Sequence, residues 1–135
     1  MSKLTMGVSH VGLAVSDLQA SLKFFEAIGF EKAGGDEAYP SIFLSDGSSL
    51  ITIWQTDEGA NAFDRRKNVG LHHLAIRVPS AEALDKVYEV ASKVPGARVD
   101  GEGACKPQPM DGFHITHAIV YDPSGVRIEF AYHAQ

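Results

Sequence analysis

Two stretches of the chain share one alternation of apolar and polar positions. In "VSHVGLAV", Val11, Leu13 and Val15 fall on one side of an extended strand, and His10, Gly12 and Ala14 on the other. In "HHLAIRV", Leu74, Ile76 and Val78 share a side, leaving His73, Ala75 and Arg77 opposite. The first side of each strand is apolar throughout and is expected to pack on a helix. The second is mixed, with small residues beside a histidine, as expected of a face lining a cavity. His72 is out of phase with His73 and is expected on the other face, near the strand end.

A helix pattern follows each strand. Leu18, Leu22 and Phe25 recur at helical spacing, as do Leu84, Val87, Tyr88 and Ala91. Ser16 with Gln19 forms a capping-box pattern, and Ser80 follows Pro79 at the matching place. Gly29 and the pair Pro95-Gly96 are the stop signals. The segments "SHVGLAVSDLQASLKFFEA" and "HHLAIRVPSAEALDKVYEV" superpose without a gap, so that His10 falls on His73, Lys23 on Lys86 and Glu26 on Glu89. Strand, breaker and helix matching in one register points to two copies of one structural unit.

Short β-like runs close each copy. The first has 38–44, the turn "SDGSS" and 50–54. The second has 97–99, a loop with glycine and proline, 115–121, the turn "DPSG" and 126–132. The order β-α-β-β-β occurs twice, an α+β pattern. It predicts one domain over 1–135, with module one at about residues 6–57, a connector at about 58–69 and module two at about 70–135.

Composition narrows the class. The chain of 135 residues is 44% hydrophobic and 21% charged, with a net charge of -5. That is globular composition, able to bury a core without disulfides. The single Cys105 fits a reducing, cytoplasmic setting. No apolar run is long enough to span a membrane, and "MSKLTMGVSH" lacks a signal-peptide apolar segment. The acidic balance gives nucleic acid little to hold, and Arg65, Arg66 and Lys67 read as a solvated connector rather than a phosphate site. The expected partner is a small-molecule substrate, with neither nucleic acid nor membrane.

The last strand supplies the chemistry. In "VRIEFAY", Val126, Ile128 and Phe130 face the helix layer, so Glu129 points with the inner set. A carboxylate there is costly to enclose unless paired or bound to a cation. Taken singly, Glu129 also suits an ion pair with Arg127 or Arg77, and His10 suits a hydrogen-bonded, half-buried site. Together His10, His73 and Glu129 form a two-imidazole, one-carboxylate set suited to Fe2+ first, and also to Mn2+, Zn2+, Ni2+ or Co2+. Aligning "LITIW" with "VRIEF" puts Thr52 where Glu129 falls, so module one offers no fourth strong ligand.

"HVGLAVSDLQASLKFFEAIGF", "HHLAIRVPSAEAL" and "YDPSGVRIEF" resemble the vicinal oxygen chelate superfamily over nearly the whole chain. That superfamily includes glyoxalase I, extradiol dioxygenases, fosfomycin-resistance proteins and bleomycin-binding proteins. The resemblance implies two βαβββ modules forming a curved mixed sheet around a cavity, a homodimer, and metal ligation by His10, His73 and Glu129. Thr52 departs from the fourth carboxylate ligand usual in glyoxalase I. "HITHAIVYDPSGVRIEF" looks like the final dioxygenase segment, which makes His117 an acid/base candidate and Tyr121 a hydrogen-bond donor, with His114 a looser match. Trp54, Phe113 and Phe43 are candidates for an apolar pocket wall, and Arg77 and Arg127 for contact with an anionic substrate. The implied activity is metal-dependent dioxygenase or lyase/isomerase chemistry on a metabolite with vicinal oxygens. The alternative is a metal-free, ligand-sequestering protein of the bleomycin-resistance type.

Overall fold

The computed structural model describes residues 2–101 and 103–134. The first copy consists of β1 (Val11–Val15), α1 (Leu18–Ala27), β2 (Glu31–Asp36), β3 (Ser41–Ser45) and β4 (Leu50–Gln55). The second consists of β5 (Leu74–Arg77), α2 (Ala81–Ser92), β6 (Gln108–Pro109), β7 (Ile115–Tyr121) and β8 (Arg127–His133). Each copy makes its own four-stranded mixed sheet, ordered β1-β4-β3-β2 and β5-β8-β7-β6. The leading strand pairs in parallel with the last, and the other pairs are antiparallel.

The register confirms the internal alignment. Gly12 faces Thr52 across β1 and β4, and Ala75 faces Glu129 across β5 and β8. Thr52 therefore holds in module one the place Glu129 holds in module two.

The expectation of one curved sheet around a cavity is overturned. The strands form two separate sheets, neither strongly curled, and no strand of one pairs with a strand of the other. β1 and β5 each lie at an edge of their own sheet, so the curvature that continuous hydrogen bonding would impose is missing.

Local details also differ. The helix α1 is capped by Asp17, not Ser16: the Asp17 carboxylate accepts from the Ala20 N–H at 3.0 Å. Ser80 caps α2 as expected, accepting from Ala83 N–H at 3.0 Å. Gly29 ends α1 at φ +108°, a left-handed conformation that side chains resist. The expected run 38–44 begins in a turn, and β2 lies earlier, where "EKAGGD" gives no apolar alternation to read. The run 97–99 is reduced to a single bridge, Arg98 to Tyr121, and the short β6 takes the edge beside β7 instead.

The core lies on the helix side of both sheets. Leu13, Val15, Phe24, Phe25, Ile128 and Phe130 are among its buried members, in one cluster that spans both copies. Each large side chain enclosed there contributes about 1.5–3 kcal/mol. A polar knot joins the copies beside it. The Ser21 hydroxyl donates to the buried Asp122 carboxylate at 2.6 Å, and Ser124 Oγ accepts from the Ser16 N–H at 3.1 Å. With helix-side faces turned together, the opposite faces look outward: His10, Gly12, Ala14, His73, Ala75 and Arg77 are all exposed.

Candidate metal centre

Glu129 occupies the middle of β8, flanked in register by Ala75 on β5 and Ile119 on β7. The small Ala75 leaves room on one side, and the carboxylate is only 8% exposed. Neither arginine pairs with it. His117, two residues before Ile119 on the same face of β7, approaches Glu129 Oε1 at 2.6 Å through Nδ1. An ionised carboxylate only accepts, so His117 Nδ1 carries the proton. The other oxygen, Oε2, lies 3.8 Å from His73 Nε2. That is too long for a hydrogen bond. Neighbouring ligands on a metal with bonds of about 2.0–2.2 Å sit about 3 Å apart, so closing this gap takes less than an ångström. His73 is 38% exposed and has space to make that move.

His72 is a site residue that sequence parity assigned elsewhere. Its Nδ1 lies 2.8 Å from His73 Nδ1, the two rings edge to face at 5.1 Å. When His73 Nδ1–H donates to His72, His73 Nε2 keeps its lone pair toward Glu129, the tautomer a metal requires. The His72 imidazole is held below its ordinary value by desolvation first, then by the charges of Arg127, His73 and Arg65. A shift toward the neutral form suits an acceptor. The irregular stretch at its strand entry, absent from any periodicity, carries both rings.

His10 does not join this group. Among the described residues no set of three or more His, Cys, Asp and Glu is spaced to hold a metal ion. The cause is the fold: His10 leads into β1 of one sheet, His73 into β5 of the other, and these strands make no substantial contact. His10 is exposed, with Nδ1 on Ser9 Oγ at 3.0 Å.

The remaining candidates divide. Tyr121 is buried; its hydroxyl accepts from Arg65 Nη1 at 3.1 Å, and the Arg98 guanidinium lies 4.0 Å over its ring. Arg127 faces Tyr121 in register across β7 and β8. Arg77 is exposed. Trp54 is in the other module, where its indole N–H donates to Thr52 Oγ1 at 2.8 Å and its ring meets Tyr39 and Phe43. It lines a concavity of about 420 Å³ with Tyr39 and Ala14, away from Glu129. Phe113 is 65% exposed on the loop before β7, and His114 is exposed beside it. Arg65 was missed. In the stretch 57–73 Arg65 is half-buried while every other residue is exposed, Arg66 and Lys67 among them as expected.

Two βαβββ units, each with its leading strand parallel to its last, define the two-module glyoxalase-like class. The chain belongs to the Glyoxalase/Bleomycin resistance protein/Dioxygenase superfamily, whose family model matches residues 7–130. Solved structures agree on the fold. A glyoxylase/bleomycin resistance protein/dioxygenase domain from Frankia sp. EAN1pec is 24% identical, with TM-score 0.78, covering 97% of this chain and 94% of that one. A glyoxalase/bleomycin resistance protein from Albidiferax ferrireducens T118 is 21% identical, with TM-score 0.72, covering 94% and 98%. The fosfomycin resistance protein FosX from Listeria monocytogenes is 21% identical, with TM-score 0.71, covering 97% and 96%. No curated protein matches the sequence. Among the described residues no helix is long and apolar enough to cross a membrane.

Proposed function

We propose that this chain is a divalent-metal-dependent enzyme acting on a small metabolite with vicinal oxygens, by dioxygenase-like or lyase/isomerase chemistry. The observation that carries the reading is the approach of His73 Nε2 to Glu129 Oε2, with His117 fixing the other carboxylate oxygen. His73 and Glu129 would be two of the ligands to a bound metal. His10 of a second copy would be the third, in a homodimer. Exposed apolar residues flank both histidines, Leu4, Met6 and Val8 before His10, Val69 and Leu71 before His73, as a surface awaiting cover. Two-fold symmetry would then complete two equal sites. A bound Fe2+, Mn2+, Zn2+, Ni2+ or Co2+ would supply Lewis acidity toward two substrate oxygens, with Fe2+ the first choice. FosX, a fold neighbour, has been solved with Mn(II).

The chain's own groups would do the rest. His117 orients Glu129, and its Nε2 offers a proton-transfer site on the same face. Thr52, its hydroxyl engaged by Trp54, replaces the fourth carboxylate and leaves a three-ligand pattern.

Metal content of untagged protein tests this reading. The expectation is about one ion per chain, lost in His73→Ala, Glu129→Gln and His10→Ala, and weakened roughly 10–100-fold in His72→Ala. Mixing His10→Ala with Glu129→Gln chains should restore part of the binding, because each supplies what the other lacks. A wild-type chain that takes up none of these metals refutes the proposal and favours metal-free sequestration of a ligand beside Tyr39 and Trp54.

A further inference from the structure

Arg65 stands out because its connector is otherwise solvated. Asp64 and Asn68 build the turn that presents it: Asp64 N–H donates to Asn68 Oδ1 at 3.0 Å, and Arg66 N–H to Asp64 Oδ1 at 2.9 Å. The turn aims Arg65 across the chain onto the Tyr121 hydroxyl at 3.1 Å. Tyr121 is in turn held rigid by burial and by the Arg98 guanidinium over its ring. Arg127 lies opposite Tyr121 in register, and side chains so paired stand about 4.5–5.5 Å apart at Cβ. Arg65 thus reaches the Tyr121 hydroxyl from the connector, and Arg127 is the cross-strand neighbour of the same tyrosine.

Among the described residues, no carboxylate within salt-bridge distance offsets their charge. Arg98 has Asp100, but among the described residues neither Arg65 nor Arg127 has a carboxylate partner. The buried Nε of each makes no hydrogen bond. The nearest carboxylate along β8, Glu129, is engaged by His117 and faces His73. Half-buried guanidinium groups with an unpartnered buried Nε and no counter-charge are costly, and the arrangement suits an oxyanion entering from outside.

We infer that Arg65 and Arg127, organised by Tyr121, form a subsite for the anionic group of the substrate, a carboxylate or phosphoryl group. Arg127 and Glu129 are two residues apart on one strand face, about 7 Å. The substrate class is thus an acidic metabolite whose oxyanion sits a few bonds from the oxygens directed at Glu129 and His73. In this account Tyr121 is a positioning residue for Arg65. Assignment to the substrate rests on the metal-site reading; the anion subsite itself does not.

The test uses chelator-treated, metal-free protein. Inorganic phosphate and acetate are titrated at constant ionic strength against chloride, with binding followed by calorimetry and by thermal shift. Phosphate or acetate should bind the wild type, and the dissociation constant should rise about tenfold or more in Arg65→Gln and in Arg127→Gln. Tyr121→Phe should weaken binding, Arg65→Lys should rescue part of it, and Arg66→Gln should leave it unchanged. Circular dichroism confirms that each variant is folded. Absence of anion binding above the chloride control, or binding equal in wild type and both Gln variants, overturns the subsite. Anion binding by a chain that takes up no metal would refute the proposed enzyme and spare the subsite. Metal uptake without anion binding would do the reverse.

Discussion

Asp122 is the buried charge on which the junction of the two modules depends. It is 1% exposed, and it accepts hydrogen bonds from the Ser21 hydroxyl at 2.6 Å and from the N–H groups of Ser124 and Val126 at 2.9 Å each. Asp122→Ala strands three donors, each costing about 1–3 kcal/mol when buried and unpaired. Partial access of water to the half-buried ones brings the expected loss to about 3–5 kcal/mol, a large part of the roughly 5–15 kcal/mol that holds a domain folded. Asp122→Asn keeps the acceptor for the two N–H groups, and the Ser21 hydroxyl can turn to accept, so the loss should be about 1–2 kcal/mol. The pH dependence is sharper still. Burial raises the Asp122 carboxyl above its usual 3.8, with Ser21 and the N–H groups of Val126, Ser124 and Gly125 pulling the other way. Above the folded value both folded and unfolded chains are ionised, and the folded chain bears the whole desolvation penalty. As pH falls through that value toward 3.8, the folded chain takes up its proton first and the penalty is relieved. Urea denaturation of wild type and Asp122→Asn at a series of pH values isolates the effect, because acid-induced changes elsewhere cancel in the difference. The difference should move in favour of the wild type on acidification through this window. A flat difference, or one moving against the wild type, would mean that the carboxylate is stabilised as an anion and that the argument from burial fails.

Two further pairs of substitutions test the local structure by the same denaturation midpoint. Asp17→Ala should cost about 1 kcal/mol by removing the α1 cap, while Ser16→Ala should change stability by less than about 0.5 kcal/mol, and the reverse order would restore the capping box. Gly35→Ala would place a Cβ 2.6 Å from the Ser41 carbonyl oxygen and should destabilise by about 1–3 kcal/mol, whereas at Gly34 the added Cβ meets only Phe43 at 3.4 Å and should be tolerated better.

Much of the plan of this fold is legible without coordinates. Alternation in β1 and β5 assigns Leu13, Val15 and Val78 to the core and His10 and His73 to the other face, as found. Alignment of the closing strands gives Thr52 the place in module one that Glu129 holds in module two, and the register agrees. β2 escaped because "EKAGGD" is almost entirely exposed and carries no buried stripe to read. The capping error at α1 came from two adjacent residues that both suit an N-cap, and only backbone geometry separates Ser16 from Asp17.

The site divides along the same line. Strand parity turns Glu129 and His73 to one face, and β5 and β8 pair side by side, so their meeting follows from pattern and topology together. Contacts between distant segments carry no period. His117 on Glu129, Arg65 on Tyr121 and Ser21 on Asp122 depend on how loops and modules pack in three dimensions. The sequence by itself determined the doubled βαβββ plan and the facing of each strand, because both follow from burial repeating every second or every third to fourth residue. Only the tertiary structure decided that the two sheets stay separate and that His10 stands apart from His73 within one chain. Those depend on how two already formed units dock, which residue order does not encode locally.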